Sequence, residues 1–264
     1  MTLKEELWKN FYFMKRDLIS FSTYKTNIVL MIFSALFGAL TYAFLGANAT
    51  MAAVLATYHM TFTTYLIIGI AFMTYLSQSL TLVQRTINPW TLEVLVSPTG
   101  LLTFIVGSSL WGFIWSTLTI IIYLAVGVLA FGVVLSVNII GTVIVVALGI
   151  GTFIGFSMIG AGILIVTKQG DPVATFITII TSLFGNVLFP PQLMPQPLQT
   201  IAYFTPQYYF LTDVRIMLTG GSVASIAFEL VILALMCAMI LPVGYFAFKW
   251  CLKTARKNGT LSWF

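Results

Sequence analysis

Six long apolar runs, separated by short polar or proline-containing breaks, make up most of this chain. They lie at about 27–44, 61–83, 101–129, 139–166, 173–188 and 225–248. A helix needs about 20 mostly apolar residues to cross a bilayer. The pattern therefore predicts an all-α, polytopic membrane protein with six transmembrane helices, built as a single domain over 1–264. Residues 3–19 follow another pattern: Leu3, Leu7, Phe11, Met14 and Leu18 fall on one helical arc, with Glu5, Glu6, Lys9, Arg16 and Asp17 opposite. Trp8 and Tyr12 sit near the edge of that arc. Such a helix lies in the plane of the membrane surface or packs on another protein.

The breaks carry their own signals. After the second run, Asn88-Pro89 supplies a cap followed by proline at the first helical position, and Pro98 ends the segment. This predicts a helix over 88–96, too short to cross a bilayer. Phe131 to Asn138 turns the chain on the outer side, and Thr167 to Pro172 is a short polar turn. The break from Phe184 to Gly221 holds five of the nine prolines: Pro190, Pro191, Pro195, Pro197 and Pro206. Proline interrupts continuous helix, yet the segment is rich in Leu, Met, Ile, Tyr and Phe. It predicts a re-entrant outer segment over 189–221 whose irregular backbone is shielded by protein or faces a water-filled cavity.

Composition agrees with the pattern. The chain is 59% hydrophobic and 7% charged, against roughly 25% charged in soluble domains. The net charge is +5, and the charges sit at particular places rather than in a nucleic-acid-type patch. Of twelve Lys and Arg, five precede the first run, Arg85 and Lys168 sit in even-numbered turns, and four follow the last run. Only Arg215 falls on the other side. Basic residues gather on the cytoplasmic side, which places both termini there, in the cell (plasma) membrane. Ala47-Asn48-Ala49 resembles a signal-peptidase site, but the first run is long enough to remain as a span. Asn48-Ala49-Thr50 is a glycosylation sequon. Cys237 and Cys251 read as ordinary apolar residues, since no Cys/His spacing of a metal site exists.

Catalytic constellations are absent from the sequence. It contains no G-x-x-x-x-G-K-[ST] phosphate loop and no H-E-x-x-H. Gly155-Phe156-Ser157 begins like a nucleophile elbow, but Ile159 stands where glycine is needed. His59 is the sole histidine. The chain thus reads as a small, polytopic, six-span protein without its own energy source, binding no cofactor or metal. Ile68, Phe72, Tyr75 and Ser79 share one face of the second run, and Thr178, Thr181, Ser182, Gly185 and Asn186 one face of the fifth. These stripes either line a path or pack against neighbours, with hydroxyls bonding back to their own helix. The small-residue pairs Gly151/Gly155 and Ser157/Ala161 point to close helix packing. Asp213, Arg215 and Glu229 are placed to meet at one outer site, as a gate, a substrate-facing charge or a structural pairing.

Two motifs resemble the permease subunits of type-2 ATP-binding cassette (ABC) transporters. In that family a cytoplasmic loop has an arginine, then Gly-Thr-Leu-Glu, two aliphatic residues, and Ser or Thr before Pro. Here Arg85 precedes Trp90-Thr91-Leu92-Glu93-Val94-Leu95-Val96-Ser97-Pro98, with Trp90 in place of the glycine. The family's outer segment is matched by Phe189-Pro190, Met194-Pro195, Thr205-Pro206-Gln207-Tyr208-Tyr209, Arg215 and Gly220-Gly221. The resemblance covers nearly the whole chain.

It implies a subunit of an ATP-driven exporter whose ATP and Mg are bound by separate ATPase subunits. A second permease copy, most simply in a homodimer, completes the pathway. Arg85, Pro89, Trp90, Leu92 and Glu93 become the ATPase-coupling element. Phe72, Tyr75, Ser79, Thr178, Ser182 and Asn186 become the substrate path. Phe189, Pro190, Pro195, Pro206, Arg215 and Glu229 become the outer gate. Short loops favour the small drug- and lipid-type (multidrug) exporters, with polysaccharide or glycolipid export as the alternative. Outside the family stand an ATP-independent secondary carrier and a membrane assembly or enzyme subunit without transport of its own. The scarcity of ionisable residues inside the runs argues against the carrier.

Overall fold

The computed structural model describes residues 60–85, 101–167 and 172–257. The predicted interfacial helix at 3–19, the first span at 27–44 and the 88–96 helix with Pro89, Trp90, Leu92 and Glu93 lie outside the described residues, as does the Arg85 side chain. Seven α-helices are described: α1 (Phe62–Arg85), α2 (Leu101–Phe131), α3 (Ile139–Thr167), α4 (Pro172–Phe184), α5 (Gln196–Tyr203), α6 (Pro206–Leu218) and α7 (Ala227–Lys257). Single 3-10 turns occur at Pro191–Leu193 and Val223–Ile226. No strand occurs among the described residues, so the all-α expectation holds there.

The runs predicted at 61–83, 101–129 and 139–166 coincide with α1, α2 and α3 to within two residues. The run at 173–188 does not remain helical throughout. Helix α4 stops at Phe184 after 13 residues, about 20 Å of rise against a hydrocarbon core of about 30 Å. Asn186 then adopts φ 63, the left-handed conformation with which many helices end. At the other end of the chain, α7 runs nine residues beyond the predicted limit of 248, through Lys249 and Lys253 to Lys257. Apolar character marks the part of a helix that meets hydrocarbon, whereas the backbone ladder continues into the headgroup region.

Helix directions follow from the contacts. Helices α3 and α7 lie side by side and parallel: Gly151 faces Cys237, Gly155 faces Ile240 and Gly244, and Gly162 faces Phe248 and Cys251. At the crossing the two backbones nearly touch; a Cβ on Gly244 would lie 2.2 Å from the Gly155 carbonyl oxygen. The predicted Gly151/Gly155 pair is thus a packing seam. Helices α1 and α2 are antiparallel, with Ile67 against Gly127 and Tyr75 against Phe113. Helices α1, α3 and α7 therefore run one way and α2 the other.

Asn138 caps α3, its Oδ1 accepting from the Gly141 amide at 3.1 Å. Its Nδ2 donates to the Gly221 carbonyl. The α2–α3 turn pairs with the end of α6, as the Ser136 and Asn138 amides donate to the Leu218 and Met217 carbonyls at 2.9 and 2.8 Å.

The outside of the bundle is apolar. Phe228, Val231, Leu235, Met239, Val243, Phe246 and Trp250 are all exposed along one face of α7. Ile139, Ile140 and Val143 are exposed on α3. Two described helical stretches, Ile139–Val166 and Val223–Ala255, are long and apolar enough to cross a membrane.

Candidate functional site

Two features stand out: a side cavity between α1, α2 and α3, and a knot of polar residues under the proline-rich segment. The cavity has a volume of about 370 Å³, within the range of small-molecule sites. Phe72 and Tyr75 from α1, Thr117, Ile120 and Leu124 from α2, Thr142, Val146 and Ile150 from α3, and Leu218 from α6 line it. Val143 and Ala147, both exposed on α3, border it. Apart from the Tyr75, Thr117 and Thr142 hydroxyls, the lining side chains are purely apolar.

The cap begins where α4 ends. Each proline sits where no amide donor is required. Pro190 precedes the 3-10 turn at Pro191–Leu193, Pro195 caps α5, and Pro206 opens α6. Helix α6 is then fixed from three sides. On the α3 side, Phe210 packs onto Gly149 and Met217 onto Gly141. On the α1 side, Arg215 is 3% exposed. Its Nη1 donates to the Asn186 carbonyl at 2.7 Å, Nη2 to Tyr65 and Val187 carbonyls at 3.1 Å each, and Nε to the Tyr65 carbonyl at 3.3 Å. The guanidinium lies 3.6 Å above the Tyr65 ring centroid, a cation–π stack. Gly69 makes room: a Cβ there would fall 2.6 Å from Arg215 Nη2.

Asn186 completes this knot. Its Oδ1 accepts from the Tyr65 hydroxyl, and its Nδ2 donates to Thr212 Oγ1 at 3.0 Å. The turn after α4, the start of α1 and the middle of α6 are thereby tied into one unit.

The third side of α6 meets α7. Asp213 is 0% exposed, and neither of its carboxyl oxygens has a hydrogen-bond partner. Burial pushes its carboxyl up to about 8, and Glu229 in the first turn of α7 adds to the rise through like charge. The expected Asp213–Arg215–Glu229 cluster is therefore not formed. Two residues apart on a helix place side chains about 200° apart, and Arg215 is committed to the α1 side. Gln207 Nε2 is likewise buried without a partner.

The residues predicted from the sequence separate accordingly. Phe72 and Tyr75 meet at the cavity. Ser79 is buried and donates to the Tyr75 carbonyl. Ser182 donates to the Ile179 carbonyl, and the Thr178 carbonyl accepts from Thr181. Asn186 belongs to the knot, so the two predicted stripes do not share the cavity. Phe189 is half-buried, Pro190 and Pro206 buried, Pro195 exposed, and Glu229 half-buried. Sequence reasoning missed Tyr65, Gly69, Thr212 and Asn138. A glycine four residues after a tyrosine in an otherwise bulky helix was the available trace of the Arg215 seat.

Among the described residues the chain is an all-helical bundle with apolar outer faces, a buried polar knot and a proline-broken segment, and two of its helical stretches are long and apolar enough to cross a membrane. The chain belongs to the ABC-2 type transporter family, whose membrane-domain profile matches residues 7–219. That domain is a transport permease and not a catalytic unit. Comparison with curated proteins finds no significant match.

Proposed function

We propose that this chain is the membrane-spanning permease subunit of an ATP-driven exporter that moves a hydrophobic or amphipathic, drug- or lipid-like molecule across the cell membrane. Separate ATPase subunits carry ATP and Mg, a second copy of the chain completes the pathway, and both termini face the cytoplasm. The 88–96 helix, with Arg85, Pro89, Trp90, Leu92 and Glu93, transmits ATPase closure. Family membership supports the class, and the apolar cavity at Phe72 and Tyr75, bordered by exposed α3 residues, is the observation that carries the substrate class.

The test has two parts. Gentle purification of the tagged chain is expected to bring down a soluble ATPase with a phosphate loop. A homo-oligomer with no ATPase under several mild conditions would refute the ATP-driven reading. In the reconstituted complex, Val143→Trp at the cavity edge is expected to cut transport of a hydrophobic dye at least fivefold while ATPase binding is kept. Unchanged dye transport would refute the cavity as a substrate site.

A further inference from the structure

We propose that Asp213 is a proton-binding site that holds the outer cap on the last helix: α6 seats against α7 with the carboxyl protonated, and loss of the proton weakens that seat. The inference adds to the permease reading without depending on its substrate. It starts from geometry. Asp213 has no solvent exposure, and both oxygens lack partners. An unpaired carboxylate in such a place is costly, whereas a neutral carboxylic acid is tolerated.

The surroundings offer no compensating cation among the described residues. From α7 the group that acts on Asp213 is Glu229, of like charge. On α6 itself, Tyr209 interacts with the same Glu229 and with Tyr203 of α5. Helix α3 contains no titratable side chain at all. The titratable residues of α1 are Tyr65, Tyr75 and Arg85, and Tyr65 serves the Arg215 side. The other attachments of α6 described above, to α1 through Arg215, to the turn after α4 through Thr212, to α3 through Phe210 and Met217, and to the α2–α3 turn through the Met217 and Leu218 carbonyls, do not titrate near neutrality. Among these contacts, the seat of Asp213 is thus the one set by protons.

The sign follows from linkage. Undocked, the carboxyl has its ordinary value near 3.9; docked, it keeps its proton to about 8. Between these limits the seated form binds one more proton than the released form. Raising the pH therefore favours release, by up to roughly tenfold per pH unit, and the effect levels off above about 8. Acid on the outer side closes the cap, and alkali loosens it.

The full chain in lipid nanodiscs provides the test, by thermal stability and by hydrogen exchange of residues 206–218, corrected for intrinsic rates, between pH 5 and 8.5. In the wild type, stability should fall and local opening should rise severalfold per pH unit up to about 8. Asp213→Asn should flatten both curves and exceed the wild type at pH 8. Glu229→Gln should match the wild type at pH 5 but be more stable at pH 8, because removing the neighbouring charge lowers the docked value of Asp213. The proposal is overturned if Asp213→Asn keeps the wild-type slope. Should that variant not fold, a Glu229→Gln curve identical to the wild type, or less stable at pH 8, overturns it equally.

Discussion

Replacing Arg215 by alanine removes the donor to three buried backbone carbonyls, those of Tyr65, Asn186 and Val187. A buried polar group deprived of its partner costs about 1–3 kcal/mol, and the lost stack on Tyr65 adds about 0.5–2 kcal/mol. The terms are not additive, and water entering the vacated space recovers part of them. A net loss of about 3–5 kcal/mol is expected. Arg215→Lys keeps the charge but not the planar fork, and should lose about 1–3 kcal/mol. The assay is thermal unfolding of the detergent-solubilised chain by fluorescence-detected gel filtration, with limited proteolysis of the 186–206 segment. The expected order of stability is wild type, Arg215→Lys, Arg215→Ala, with cleavage increasing along the series. Two alternatives would refute the reasoning: Arg215→Ala as stable and protease-resistant as the wild type, or Arg215→Lys as damaging as Arg215→Ala.

Gly244→Ala should separate α3 from α7, because the new methyl meets the Gly155 backbone at 2.2 Å. Gly151→Ala should be milder, since it meets side chains rather than backbone, Cys237 Sγ at 2.7 Å and Leu241 Cδ1 at 3.5 Å; comparing their melting temperatures tests the order. Asn186→Gly keeps the left-handed turn but loses the amide contacts to Tyr65 and Thr212. Asn186→Ala also carries a left-handed cost of about 1–2 kcal/mol and should be the less stable of the two in chemical denaturation. The double change Leu92→Ala and Glu93→Ala should let the partner hydrolyse ATP without transport. Normal ratios of dye moved to ATP consumed would count against the coupling role.

The length of the apolar runs made the long helices legible, because hydrocarbon imposes one rule along each of them. The end of the fifth run was not legible. Gly185-Asn186-Val187 is apolar enough to continue a span, and its turn is held by tertiary partners from other helices, among them Tyr65, Thr212 and Arg215. The outer charges misled for a related reason: nearness in sequence suggested a meeting of Asp213 and Arg215, whereas the helix sends them to opposite neighbours. The prolines marked 184–221 as broken because a missing amide is a local property, but that Pro190, Pro195 and Pro206 stand at the starts of separate elements emerged only from the structure. The Phe72–Tyr75 stripe was found by spacing alone, but whether it faced a cavity or a neighbour depended on helices elsewhere in the chain.

The parallel α3–α7 seam has a consequence for biosynthesis. Gly155 and Gly244 are 89 positions apart (244 minus 155). At about 5–20 residues per second, α3 leaves the ribosome on the order of 4–18 s before its partner exists. During that interval its glycine face is bare inside the bilayer, open to any passing helix with small residues. Phe210 closes over Gly149 somewhat earlier, so the N-terminal half of α3 is guarded first and the C-terminal half last. A chain cut short before α7 would keep that C-terminal face exposed, and the quality-control machinery of the membrane would meet it as an unpaired helix.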